Sequence, residues 1–236
     1  MIFSRIMAHP YDSRPADQEF IRFAIDAGVL KFGSFITKAG RESPYFFNAG
    51  LFDHGGTLGA LAGFYAKTFL AAEFDGRLQA DGLFGPAYKG IPLVSATAVA
   101  LSHAGRDIGF SYNRKEAKDH GEGGVVVGRA LAGRILIVDD VISAGTSVRE
   151  SVDIIRAHGA TPAGVLIALD RMERGGTASA PTERSAVQEV QDLFGIPVIA
   201  IANLADLLEF LDRCDNRELS RYRDAVADYR QRWGVA

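Results

Sequence analysis

One run of residues constrains this chain more than any other. Four aliphatic residues, Ile135, Leu136, Ile137 and Val138, lead directly into two adjacent acids, Asp139 and Asp140. Val141 and Ile142 follow, and then a small, hydroxyl-rich segment, Ser143-Ala144-Gly145-Thr146-Ser147, precedes a polar helical pattern. A short aliphatic run bounded by turn residues reads as a strand buried on both faces. A tight turn into a helix N-terminus presents unpaired N–H groups and a positive dipole end, which suits a phosphate. The small residues allow close approach, the hydroxyls add hydrogen bonds, and the acids face sugar hydroxyls or a metal-bound diphosphate. No Gly-Lys-Ser/Thr follows the glycine, so the run is not a Walker loop. A plainer reading is a solvated strand–turn–helix joint in which Ser147 and Glu150 form a capping box. That reading accounts for the hydroxyl but not for two acids directly after four aliphatics.

The rest of the chain repeats the same logic. Helical spacing appears over 17–27, 58–74 (a strong amphipathic pattern), 91–103, 146–158, 185–194, 204–211 and 218–233. Strand signals appear over 81–84, 108–112, 125–127, 135–138, 164–169 and 198–201, and 32–36 with 45–47 reads as an aromatic-rich hairpin. Segments 113–124 and 173–182 read as loops, the second a flexible connection. Strands alternating with helices predict an α/β fold with a mostly parallel central sheet flanked by helices. Ligands of such sheets sit beyond the carboxyl ends of the strands. That rule gathers Gly85-Pro86-Ala87-Tyr88-Lys89, segment 113–124, the Asp139–Asp140 turn and Asp170-Arg171 on one rim.

Segment 113–124 is the second informative stretch. Arg114, Lys115, Lys118 and His120 are followed by Gly121, Gly123 and Gly124. The cations suit a diphosphate, and the glycines suit a loop that closes over it and excludes water. The interspersed acids Glu116, Asp119 and Glu122 also fit a solvated, charge-mixed loop.

Bulk properties limit the alternatives. The chain has 236 residues, 47% hydrophobic and 23% charged, with a formal net charge of −3. Those values suit one α/β domain with appendages or two small domains, and lack the basic balance of a dedicated nucleic-acid binder. No membrane partner is expected, because no apolar stretch reaches about 18 residues. Residues 1–16 read as an N-terminal extension without a signal-peptide core, and 17–236 as a single domain. The one cysteine, Cys214, permits no intrachain disulfide and fits a reducing, cytoplasmic setting. His9, His54, His103 and His158 show no metal-ligand spacing.

The acidic run resembles the phosphoribosyl-diphosphate signature of type I phosphoribosyltransferases. Four further stretches narrow the likeness to the orotate phosphoribosyltransferases: Lys31-Phe32-Gly33-Ser34-Phe35, the segment 38–50, Phe84-Gly85-Pro86-Ala87-Tyr88-Lys89-Gly90-Ile91-Pro92, and Leu169-Asp170-Arg171. The basic loop adds to it, and the likeness runs from about residue 18 to the C-terminus. It implies the type I fold with a small hood built from about 17–50 and the C-terminal part. It implies transfer of ribose 5-phosphate from 5-phosphoribosyl 1-diphosphate to orotate, with magnesium, in a homodimer whose subunits share the basic loop. By the same resemblance Asp139 and Asp140 hold the ribose hydroxyls, and Val141, Ile142, Ser143, Ala144, Gly145, Thr146 and Ser147 cradle the 5-phosphate. Tyr88, Lys89, Arg114, Lys115, Lys118 and His120 match diphosphate contacts, with Lys118 catalytic, and Lys31 matches a ligand-contacting lysine. Phe46 and Phe47, with Ser143, match the orotate pocket, and Arg171 the partner of the orotate carboxylate. A cis peptide bond near Ala87–Tyr88 is a further expectation. The chain departs from the family pattern at Ser143, where threonine is common, and over 175–182, which is longer and reads as a surface elaboration. Another nucleobase phosphoribosyltransferase, or a regulator that senses phosphoribosyl diphosphate, would share the acidic run but not the whole set.

Overall fold

The computed structural model describes residues 16–118 and 124–235; most of the N-terminal extension (1–15, with His9) and the loop tip with His120 lie outside them. A six-stranded sheet forms the centre. Its strands are β3 (Gly82–Gly85), β4 (Gly109–Lys118), β5 (Gly124–Gly128), β6 (Arg134–Val138), β7 (Thr161–Asp170) and β10 (Val198–Asn203), in the order β10-β7-β6-β3-β4-β5. All neighbours are parallel except β5, which runs antiparallel to β4 at the edge. From β3 the chain first builds outward to β4 and β5, then returns to place β6 on the other flank of β3. The direction of winding therefore reverses between β3 and β6, and a crevice opens beyond their carboxyl ends.

Strand β6 shows why the aliphatic run is a central strand. Leu136 and Val138 join one core with Leu166 and Ala168, together with Tyr65 and Phe69. Ile135 and Ile137 join the other core with Val165 and Ile167, against Val148, Val152 and Ile155. Period-two alternation thus feeds both faces, and no polar residue fits between them. The flanking helices are α2 (Gly55–Phe74), α3 (Gly90–His103), α4 (Thr146–Ala157) and α5 (Ala186–Phe194).

A hood sits over the rim. It consists of α1 (Ala16–Asp26), the antiparallel hairpin of β1 (Leu30–Ile36) and β2 (Glu42–Phe47), and the C-terminal helices α6 (Leu204–Arg213), α7 (Arg217–Ser220) and α8 (Arg223–Trp233). Tyr45 of β2 meets Tyr229 of α8 edge to face, with ring centroids 6.0 Å apart. Cys214 packs half-buried against this core.

The structure corrects several local expectations. Residues 113–118 continue strand β4 rather than forming loop, because β5 supplies a partner ladder. The 173–182 connection contains a second small hairpin, β8 (Arg174–Gly176) with β9 (Pro181–Ser185). The single helix expected over 218–233 is divided at the turn between α7 and α8. Helix α2 is not strongly amphipathic: Leu61, Tyr65 and Phe69 are buried, but the opposite face carries Gly56, Gly59, Ala60, Gly63 and a fully exposed Phe74 in place of a charged stripe. Ser147 does not cap α4. Gly145 takes that position at φ 69°, a left-handed conformation that favours glycine, and Lys115 Nζ lies 3.7 Å from the Glu150 carboxylate.

Candidate active site

The end of β6 turns both acids back into the protein. Asp139 and Asp140 are each only 6% exposed. Asp139 Oδ1 accepts the Asp140 N–H at 2.9 Å, and its Oδ2 accepts the Ser147 hydroxyl at 2.8 Å. Asp140 Oδ1 accepts the Val141 N–H at 2.9 Å, and its Oδ2 pairs with Lys89 Nζ at 2.9 Å. From beneath, the buried Tyr65 hydroxyl of α2 donates to the Asp139 carbonyl at 2.7 Å. Burial, reinforced by the Asp140 charge, pushes the Asp139 carboxyl up to about 6, against the opposing pull of Ser147, the Asp140 N–H and Lys89. Asp139 is thus held by a hydroxyl donor where a sugar hydroxyl would suit equally well.

The neighbouring turn depends on two glycines. A Cβ on Gly85 would lie 2.2 Å from the Gly90 carbonyl oxygen and 2.6 Å from Val94 Cγ1. The close strand-to-helix approach therefore tolerates no side chain there. The Ala87–Tyr88 peptide bond is cis, and the buried Asn113 of β4 accepts the Ala87 N–H at 2.8 Å. Tyr88 remains largely exposed.

Two adjoining cavities result. The smaller, about 330 Å³, lies between Pro86, Ala87, Tyr88 and Lys89 on one wall and Asp139, Gly145, Thr146 and Ser147 on the other. The larger, about 590 Å³, is walled by Ile36, Phe46 and Phe47 of the hairpin, by Asp170 and Arg171, and by the β8–β9 segment. Lys38, Lys89, Asp140, Val141, Ser143 and Ala144 line both. Ile142 lines only the larger. Phe47 packs inward towards Phe20 at 6.3 Å, whereas the half-exposed Phe46 stacks on Phe35 at 5.5 Å.

The chain that builds these two adjoining cavities is similar in sequence and in fold to known proteins. Residues 60–189 match the family model of the phosphoribosyl transferase domain. The orotate phosphoribosyltransferase of Cupriavidus necator is 68% identical over 218 residues, covering 92% of this chain and 94% of that protein. That of Cupriavidus metallidurans is 66% identical over 218 residues, covering 92% and 95%. The crystal structure of the Francisella tularensis orotate phosphoribosyltransferase superposes with a TM-score of 0.79 at 37% identity, covering 92% of this chain and all of that one. This chain is an orotate phosphoribosyltransferase family member.

Within this orotate phosphoribosyltransferase fold, not every residue singled out from the sequence reaches the cavities. Tyr88, Lys89 and the turn 139–147 line them, as do Phe46, Phe47 and Arg171. Lys31 is exposed on β1 opposite Phe46 and lines neither cavity. Lys115 reaches Glu150 on α4 instead, and Arg114 is half-buried on β4 outside both linings. Lys118 closes β4 opposite Gly124. Arg171 pairs with Glu173, its Nη2 lying 2.6 Å from Oε1, and not with Asp170, which accepts the Met172 N–H.

Three contributors escaped the sequence reading. Lys38 stands in the hairpin turn, where a lysine ordinarily points to water, yet it borders both cavities. Arg41, in the same turn, is 2% exposed. The segment 175–182 is not a remote elaboration, because Gly175, Gly176 and Thr177 wall the larger cavity. Among the described residues no group of three His, Cys, Asp or Glu side chains gathers as a metal site. Lys89, Ser147 and main-chain N–H groups already engage the carboxylate oxygens of Asp139 and Asp140. These acids therefore suit a divalent ion that arrives on a diphosphate better than one held by protein ligands alone.

Proposed function

We propose that this protein transfers ribose 5-phosphate from 5-phosphoribosyl 1-diphosphate to N1 of orotate, giving orotidine 5′-phosphate and diphosphate in de novo pyrimidine synthesis. One observation carries the reading: the acidic cradle and the arginine-bearing aromatic cavity meet at Lys38 and Asp140, so a sugar in one and a planar acid in the other would share a reacting carbon.

The turn 141–147 would hold the 5-phosphate through main-chain N–H groups and the hydroxyls of Thr146 and Ser147. Asp139 and Asp140 would accept the ribose 2- and 3-hydroxyls and orient the ring. The bond from C1 to the diphosphate loosens first, so positive charge grows on the sugar and negative charge on the leaving group. Tyr88, Lys89, Lys38 and the basic segment with Arg114, Lys115, Lys118 and His120 would surround that leaving group. Asp139 and Asp140, which border the smaller cavity, would be the carboxylates beside a donor-bound magnesium ion, which would supply neutralisation of diphosphate charge. Orotate reacts as its N1 anion, so no strong protein base is needed. Phe46 and Phe47 would frame the pyrimidine, Ser143 would border it, and Arg171 would answer its carboxylate. Lys31 would contact ligand only from beside Phe46.

The same reading makes the working unit a cytoplasmic homodimer, with the segment after Asn113 reaching the neighbouring site. The chain carries a formal net charge of −3, and no helix among the described residues is long and apolar enough to cross a membrane. Incubating the protein with donor, magnesium and orotate, and following pyrimidine ultraviolet absorbance, tests this. Orotate should be consumed and uracil, adenine and hypoxanthine should not. Turnover of a purine or of uracil in preference to orotate would assign the site to another base.

A further inference from the structure

A buried ion network borders the larger cavity, and of its members the transfer chemistry uses only Arg171. Glu173 stands at its centre with a side chain 12% exposed. Its Oε1 lies 2.6 Å from Arg171 Nη2 and accepts the Tyr45 hydroxyl at 3.2 Å. Its Oε2 lies 4.0 Å from Arg41 Nη1. Arg41 is fixed in turn, donating to the carbonyls of Arg174 and Gly175 at 2.6 and 2.8 Å, with its guanidinium 4.7 Å over the Trp233 ring. The guanidinium of Arg171 lies 5.4 Å over Tyr45. The main chain of this segment is strapped by the C-terminus. Glu173 forms a bridge with Gly234, and the Val235 N–H donates to the Met172 carbonyl at 2.8 Å.

We infer that Glu173 is a positioning residue that aims the Arg171 guanidinium at the pyrimidine carboxylate. The Nε and Nη2 atoms of Arg171 are buried without an aligned hydrogen bond. Charge attraction to Glu173 and stacking on Tyr45 therefore set its orientation. Glu173 is also the carboxylate between two buried guanidiniums. Replacing it by a neutral group leaves Arg41 and Arg171 facing each other uncompensated, and Arg171, at the cavity wall, is the one free to turn. Arg41 cannot follow, because two carbonyls and an indole hold it.

The inference rests on Arg171 reading the orotate carboxylate, and the experiment separates the two. KM for orotate, KM for the donor and kcat are measured for Glu173→Gln, Glu173→Asp and Arg171→Lys in the full chain. Trp233 is the only tryptophan, so its emission reports whether the C-terminal strap stays seated. Glu173→Gln is expected to raise the orotate KM by about 10–100-fold, the scale of a misaimed binding group, with donor KM within about twofold and native Trp233 emission. Glu173→Asp restores part of that loss, and if Glu173→Gln does not fold, an intermediate rise in Glu173→Asp decides the matter. An orotate KM that is unchanged or lowered in the folded variants, or an equal rise in both KM values, overturns the inference. If Arg171→Lys raises the orotate KM while the Glu173 variants do not, only the positioning role fails. If none of the three moves it, the carboxylate reading of Arg171 fails as well.

Discussion

The two cavities that meet at Lys38 and Asp140 are assembled in opposite ways. The smaller is largely local, with residues 139–141 and 143–147 supplying one wall and the turn 86–89 the other. The larger joins the β1–β2 hairpin to the end of β7, the β8–β9 hairpin and the start of α5, which follow it by more than a hundred positions. The local cavity is held by main-chain N–H groups, a hydroxyl and two glycines with no room for a side chain. The composite one is held by long-range ion pairs and stacked rings. The first cavity is thus written into two short stretches of chain and one lysine, whereas the second exists only where the hairpin packs against the sheet.

Four measurements would break or sharpen that contrast. Lys118→Ala should have the largest effect, slowing turnover by about 10²–10³, the scale of losing one charge-stabilising donor, while substrate KM changes less. Normal turnover in steady-state assays would separate the basic segment from the cradle. Gly85→Ala should cost about 3 kcal/mol in denaturant unfolding, because its methyl group would overlap the Gly90 carbonyl and Val94. A variant as stable as the parent would mean that the turn is not sterically fixed.

The third concerns pH. The Asp139 carboxyl is raised to about 6 by burial and then by Asp140, so the folded state binds this proton more tightly than the unfolded chain. Its contribution therefore favours folding at low pH and is lost as pH rises from about 4 through about 6, with a slope up to about 1.4 kcal/mol per unit. Unfolding curves across that window should lose this slope in Asp139→Asn, and parallel curves for the two proteins would refute it. Activity should fall on the acid side near the same value, because the ionised group accepts a ribose hydroxyl more strongly than the neutral acid does. The smallest effect tests the junction: Lys38→Ala should raise the donor KM by about tenfold, the value of a charged hydrogen bond, and Lys31→Ala by less. The reverse order would move the ligand contact from the hairpin turn to the strand.

Legibility in the sequence followed the same division. The aliphatic run, the acids and the small residues after them announced a strand, a rim and an anion cradle, since each depends on neighbours a few positions away. The role of Ser147 was not legible: Ser147 and Glu150 have capping-box spacing, but Asp139 takes the hydroxyl and Lys115 lies near Glu150. Strand β4 beyond Asn113 was hidden because its polar residues alternate without apolar partners, and only pairing with β5 extends it. Lys38 and Arg41 share one turn, where charged side chains ordinarily reach water, yet one borders two cavities and the other is buried against Trp233.

The sequence by itself determined the α/β alternation, the acidic strand end and the small-residue turn, because local sterics and side-chain periodicity dictate backbone path. Tertiary structure alone decided which lysine stands between the cavities, that Glu173 lies between two arginines, and that the C-terminus bridges to Glu173. Those outcomes are pairings of charge and surface between segments far apart in the chain, and they come into being only when the hood packs onto the sheet.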